Sequence, residues 1–167
     1  MFEEQAGSEG AGRGPERERI GKGLAKRKII AAMKEWLGPL GFEKTGRGSE
    51  CSFDRWKGDL HQHIGVVALD YNFVGVRPAG FAGFVSAERV YEHFRDGPLT
   101  VYEGGRGFAF GFNVHYEQLT RDPYKSYIVW TYADEEADVM AQLHHAVMEF
   151  IYATLAKIKT PDDLRKV

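Results

Sequence analysis

The chain has 167 residues and a formal net charge of -2, with 43% apolar and 28% charged side chains. This length is typical of one domain with a sizeable core, and the near-neutral charge gives no global field that would attract nucleic acid. The sequence shows no apolar window long enough to cross a membrane and no secretory leader, and its single cysteine excludes an intramolecular disulfide. We therefore expect a cytoplasmic protein with neither membranes nor nucleic acid as partners.

The N-terminal part of the chain divides into a tail and a helix. Residues 1–15 are rich in glycine and poor in large apolar side chains, which predicts a disordered tail, followed by a single domain over 16–167. Residues 16–37 predict a helix with a basic opposite face, and Gly38-Pro39 ends it. Its apolar stripe consists of Ile20, Leu24, Ile30, Met33 and Leu37, with Trp36 beside it.

The middle of the chain predicts strands and irregular segments. Two short strands over 42–47 and 49–56 lead through a turn at 57–59 to a stronger strand over 60–73. Residues 74–85 contain three glycines and a proline, and we interpret them as an irregular, flexible rim. A short helix over 87–95 and a hairpin over 99–119 follow. In that hairpin, Phe108, Phe110, Phe112, Val114 and Tyr116 alternate with smaller or polar residues.

The C-terminal part predicts one more strand, over 126–132, and a long helix over 134–159. Acidic residues crowd the first turn of that helix, as its dipole favours. The predicted stripe is Met140, Leu143, Val147, Phe150, Ile151, Thr154 and Ile158. This order of elements predicts an α+β fold: a mostly antiparallel sheet of five to six strands, with an N-terminal helix, a short middle helix and a long C-terminal helix packed on one face.

One sequence run is similar to a known family. The residues from Leu37 to Gly46, LGPLGFEKTG, followed by Phe53 and Arg55 on the next strand, resemble a bacterial family called domain of unknown function 4304. The resemblance covers about residues 20–167 and implies the fold with a long C-terminal helix. It implies no catalytic residues, because the family has none established. Members are small and cytosolic and sometimes sit near toxin and immunity loci.

Two pairs of polar residues suggest a metal site. His61 and His63 share one face of a strand, and His115 and Glu117 share one face of another. If the two strands were neighbours, three imidazoles and a carboxylate could bind a divalent metal such as zinc. The alternative is that these residues are simply solvated at strand ends.

The strands carry more large apolar side chains than one buried face needs, so we expect a cavity, a groove or a partner surface. The candidate rim residues for a ligand or partner are Tyr71, Arg77, Phe81, Phe84 and Trp130. No nucleophile motif or phosphate-binding loop is present. We therefore assign no catalytic residue.

The leading hypothesis is a non-enzymatic cytosolic binding protein of the immunity or interaction type, without a cofactor and with a protein partner. Charge is segregated, since residues 1–60 are net positive and residues 61–167 net negative. Two alternatives stay open. One is a binder of a small apolar ligand in an aromatic-lined cavity between the sheet and the long helix. The other is a metal-dependent enzyme that uses the His-x-His pair.

Overall fold

The computed structural model of the protein describes residues 16–47, 51–86, 111–122 and 125–166. The predicted tail over 1–15, the predicted helix over 87–95 and the first part of the predicted hairpin, over 99–110, lie outside these ranges. The elements in chain order are helix α1 (Lys22–Leu37), a 3-10 turn (Gly38–Leu40), β1 (Glu43–Lys44), β2 (Cys51–Lys57), β3 (Leu60–Asp70), β4 (Val74–Phe84), β5 (Gly111–His115), α2 (Tyr116–Thr120), β6 (Ile128–Trp130) and a 3-10 turn (Ala133–Glu135).

The C-terminal helix follows without a break in three parts: α3 (Glu136–His144), a π-helical segment (His145–Tyr152) and α4 (Ala153–Leu155). A last 3-10 turn (Pro161–Arg165) begins after Thr160, whose hydroxyl bonds Asp163. The prediction of an α+β fold with an antiparallel sheet, an N-terminal helix and a C-terminal helix is confirmed.

All strand pairs of the sheet are antiparallel, in the order β1-β2-β3-β4-β5. Strand β3 covers one edge of β4 along its full length. The other edge of β4 is divided, because β6 pairs with Val74–Val76 and β5 with Ala79–Gly83. The two longest strands therefore form the centre of the sheet.

The core lies between one face of this sheet and the two long helices. Even-numbered residues of β3 and β4 point toward the helices, and the odd-numbered ones point away. Residue 80 shows how close the layers are, since a Cβ there would lie 2.4 Å from Cγ2 of Ile151. The sheet and the C-terminal helix are therefore closely packed at this point.

The buried stripe of the C-terminal helix differs from the predicted one. Its members follow a spacing of four, through Val139, Leu143, Val147, Ile151 and Leu155. The wide turns of the π-helical segment keep this spacing on one face, where an ideal helix of 3.6 residues per turn would drift. As a consequence Phe150 and Met140 are only partly buried, contrary to the prediction, and Leu155 joins the core.

Residues 16–20 do not belong to the N-terminal helix. They are extended, and their backbone bonds residues 131–133, with Ile20 N–H donating to Thr131 O. Arg17 also pairs with Asp134 at 2.7 Å and lies over the ring of Tyr132. These long-range contacts outweigh local helix propensity, and the buried stripe of α1 shifts to Ala25, Ile29, Met33 and Leu37, leaving Leu24 exposed.

The segment predicted as an irregular rim over 74–85 is instead the central strand β4. Contacts with residues distant in sequence explain Gly75, Gly80 and Pro78 in this strand. Tyr71 and Tyr127 contact the position of Gly75, and Ile151 fills the space above Gly80. Pro78, which has no N–H, lies between the ends of the β6 and β5 pairings. The predicted strand through Leu119 is also wrong at its end, because Tyr116–Thr120 form α2.

Gly80→Ala should test the close packing of sheet and helix. We expect the free energy of unfolding to fall by about 1–3 kcal/mol, because the new methyl group must displace Ile151 and Leu155 in a filled core. Gly23→Ala is the control, since residue 23 lies inside α1 and a Cβ there would meet only the far end of the Arg27 side chain, at 4.0 Å. That variant should be unchanged or up to about 1 kcal/mol more stable. Equal effects of the two changes in urea unfolding would contradict this packing.

Candidate functional site on the open face of the sheet

The sheet face opposite the two long helices, here called the open face, carries large apolar side chains in contact with solvent. Trp56 of β2 is 52% exposed, Val67 of β3 49%, Tyr71 after β3 55%, and Val129 of β6 48%. A soluble protein normally buries such groups when they occur together. These four residues lie on or next to strands β2, β3 and β6, which together span most of the sheet. The open face is therefore the candidate functional surface.

A carboxylate with two imidazoles occupies one end of the open face. Asp54 of β2 lies opposite His63 of β3 and next to His61. Its Oδ1 accepts a hydrogen bond from Nε2 of His61 at 2.6 Å and from Nδ1 of His63 at 2.9 Å. The Thr45 hydroxyl donates to the other oxygen. An ionised carboxylate only accepts, so both ring nitrogens carry their protons in this arrangement.

This cluster determines the charge of Asp54. Burial by itself would raise the pKa of Asp54, but the hydrogen bonds from His61, His63 and Thr45 outweigh it and hold that pKa well below its usual range. Asp54 therefore stays ionised and fixes the orientation of both rings. The indole of Trp56 stacks on His61, with ring centres 4.3 Å apart, and continues the cluster to the surface.

A cleft of about 330 Å³ opens beside His63. Its walls include open-face residues of four strands, namely Ser52, Gly65, Val67, Ala79, Phe81, Asn113 and His115. They also include Cys51, Val66, Ala68 and Gly80, which face the helices, and Lys26 of α1. With Nδ1 of His63 bound to Asp54, Nε2 lies over Gly65, 3.0 Å from where a Cβ would be. Glycine at residue 65 thus makes room for the imidazole at the cleft.

At the other end of the open face, three aromatic rings gather over Gly75. The ring centres of Tyr71, Phe73 and Tyr127 lie 5.4 to 6.0 Å apart. Val129 pairs with Gly75 on the neighbouring strand and extends the same apolar area. The open face therefore has two apolar ends, with a cleft between them that carries the polar side chains of His63, Asn113 and His115.

The predicted rim residues fall in two groups. Tyr71, Arg77 and Phe81 do lie on the open face, and Arg77 faces Glu117 of α2 at 3.8 Å. Phe84 and Trp130 do not, because even-numbered positions of β4 and their partners on β6 point into the core. Trp130 is fully buried with its Nε1 donating to Tyr132 O, which corrects the expectation for that residue. Phe84 is 3% exposed and lines a groove on the helix side of the sheet instead.

The four residues predicted to share a metal are not brought together as a set. His61 and His63 bind Asp54, Glu117 faces Arg77, and His115 reaches the cleft only from β5, beyond β4. Within the described ranges, no group of three His, Cys, Asp or Glu side chains is placed to hold a metal ion. His63 and His115 do line the same cleft.

Sequence reasoning missed Asp54, Trp56 and Thr45. A usable signal was present for the first two, since Ser52, Asp54 and Trp56 alternate with Cys51, Phe53 and Arg55. The two-residue turn at 58–59 then places Asp54 opposite His63 and Trp56 opposite His61. Thr45 had no such signal, because its approach depends on the short strand β1.

No family model, curated protein or solved structure matches this chain. Every helix in the described part of the chain is too short or too polar to cross a membrane.

The Asp54 cluster makes stability depend on pH in acid. Because the pKa of Asp54 is lowered in the folded state, its contribution to stability is full above the unfolded pKa of about 4 and is lost as the pH falls below that value. Asp54→Asn should cost about 1–3 kcal/mol at pH 7, the scale for a hydrogen bond to a charged group. The difference from wild type should narrow as the pH falls below about 4.

Asp70→Asn provides the matched control, since Asp70 is an exposed carboxylate at the end of β3, the strand next to that of Asp54. Its free energy of unfolding should follow that of the wild type across the pH range. Chemical denaturation at several pH values measures all three proteins. A constant difference between wild type and Asp54→Asn down to pH values well below 4 would show that the carboxylate is not held ionised by this cluster.

Proposed function

We propose that this chain is a non-enzymatic binding protein, of the interaction or immunity type, which receives a protein partner on its open sheet face. The observation that carries the proposal is the set of exposed apolar side chains Trp56, Val67, Tyr71 and Val129 on one face. Exposed apolar groups gathered on one surface, rimmed by polar residues, are typical of protein interfaces.

The size of this face favours a macromolecule. The ring of Trp56 stacks on His61, and Tyr71 follows His61 by ten residues along β3 and just beyond it. At the rise of a strand, ten residues span about 30 Å. From β2 to β6 there are three strand spacings, or about 15 Å. The resulting area, on the order of 500 Å², approaches the roughly 800 Å² that one partner buries in a standard interface. One small molecule cannot contact both apolar ends.

The chemistry of the face defines what the partner must offer. It needs apolar groups toward Trp56 at one end and toward Tyr71 and Val129 at the other. Between them it meets hydrogen-bonding groups, including the exposed Asn113 and His115. The cations and anions nearby are already paired, as in Asp54 with its histidines and Arg77 with Glu117. Recognition would therefore depend on shape and apolar contact more than on net charge.

Site-specific photo-crosslinking in the cells of origin tests this proposal. A photoreactive amino acid at residue 67 or at residue 129 should capture the same protein, because both positions lie on the open face. The matched control is residue 24, since Leu24 is also an exposed apolar residue, 39% exposed, but lies on α1. Capture of this protein from position 24 as well would indicate non-specific contact and count against the proposal.

The captured protein must then bind in purified form. Val129→Glu should weaken binding by at least about tenfold, as expected for a charge placed inside an apolar contact, whereas Leu24→Glu should leave it unchanged. Calorimetry measures both. If the open-face positions capture only other copies of this chain, or if Val129→Glu binds as well as wild type, the proposed partner site is wrong.

A further inference from the structure

The guanidinium of Arg55 is a buried positive charge on the helix side of the sheet. Arg55 is only 6% exposed, yet none of the ion pairs among the described residues includes it. A charge is costly to bury without compensation. Groups near Arg55 on the helix side of the sheet must therefore compensate for the burial of its charge.

Neutral groups hold Arg55 in place. Its Nε and Nη2 both donate to Oε1 of Gln62, and its Nη1 donates to Leu40 O at 2.8 Å. The guanidinium lies over the ring of Phe42, at 4.5 Å, and near that of Tyr152, at 5.5 Å. Of its five N–H groups, these bonds use three, which leaves one on each terminal nitrogen. Two such groups are the usual bidentate donor for a carboxylate or phosphate.

A groove of about 470 Å³ reaches Arg55 from the surface, between the β2–β3 hairpin and the end of the C-terminal helix. Lys57 and Lys159 line it together with Arg55, so three cations face one carboxylate, that of Asp59. Asp59 is already bound by the backbone N–H and the hydroxyl of Ser86. The remaining wall is largely apolar and includes Tyr152, Phe84 and Ile158.

We propose that this groove binds a small organic anion, with its carboxylate or phosphate on Arg55 and its aromatic or aliphatic body against Tyr152, Phe84 and Ile158. The volume lies within the range of small-molecule sites, which are mostly apolar with a few polar groups that fix orientation. Lys57 and Lys159, both exposed, add attraction at the mouth. This site is on the opposite face of the sheet from the proposed partner surface, so either proposal can fail without the other.

Titration of the protein with four probes tests the site. Binding is measured by NMR chemical-shift changes and by calorimetry. Benzoate and phenyl phosphate should both bind saturably at millimolar concentration or below, and the tighter one identifies the preferred anion. Inorganic phosphate should bind at least tenfold more weakly than phenyl phosphate, because it lacks the apolar body. Benzyl alcohol should not bind measurably, because it lacks the charge. The shifts should centre on Gln62 and Ala156, which line the groove.

Variants at the mouth keep the test independent of folding. The double change Lys57→Gln and Lys159→Gln affects only exposed side chains and should weaken anion binding about three- to tenfold, the scale of two partly screened charges. Lys34→Gln, at an exposed lysine of α1 that does not line the groove, should have no effect. Arg55→Met should abolish anion binding at temperatures at which the melting curve shows that this variant is folded.

Two results would overturn the proposal. The first is that neither organic anion binds saturably to the wild-type protein. The second is binding of equal strength for benzyl alcohol and benzoate, with no change in the double lysine variant, because the groove would then recognise only apolar groups.

Discussion

A buried hydrogen-bonded pair, Arg55 and Gln62, connects the parts of this fold that are far apart in sequence. Gln62 accepts from Arg55 on the neighbouring strand and donates from Nε2 to Leu155 O, at the end of the C-terminal helix, at 2.7 Å. Arg55 donates to Leu40 O, just after α1. Two strands and the ends of both long helices thus share one polar network in an apolar layer. Since buried polar groups need partners, each of these elements fixes the position of the others.

The network also gives a physical role to the run from Leu37 to Gly46 and to Arg55 on the next strand. Leu40 supplies the carbonyl and Phe42 the ring that Arg55 contacts. Gly41 between them has a φ of 83°, which a residue with a side chain rarely adopts. Leu40 and Phe42 therefore meet Arg55 in space, although Arg55 follows them by 13 residues or more in sequence. Their contact is structural in kind, because it orients a cation and ends a helix.

Sequence periodicity predicted the elements that bury one face, because their apolar residues recur at a regular spacing. Strand β2 alternates clearly, β3 contains a continuous apolar run, and the C-terminal helix shows an apolar stripe, although its π-helical turns shift the stripe toward Leu155. Strand β4 could not be predicted in this way, because its glycines and proline are tolerated only through partners distant in sequence. Gly80 needs Ile151, and Pro78 needs the gap between two other strands.

In the candidate site, too, the contacts set by a local turn could be predicted from the sequence, whereas the contacts between distant segments could not. A tight turn at 58–59 places Asp54 opposite His63 and Arg55 opposite Gln62, so both polar clusters follow from one local register. The relation of His115 to His63 depends instead on β5 pairing with β4, which no local pattern specifies. Exposure of Val129 and burial of its neighbour Trp130 likewise depend on the register in which the short strand β6 pairs with β4.

The divided outer edge of β4 has a consequence for how the protein opens. Strand β6 pairs with β4 through three residues, and β5 through five, at opposite ends of the same edge. Neither short strand pairs with the other, so each can detach while the β2–β3–β4 sheet stays intact. Detachment of β6 takes with it the extended residues 16–20, which bond the chain just beyond it. We therefore expect β5 and β6 to open separately, so that amide protection differs between the two ends of β4.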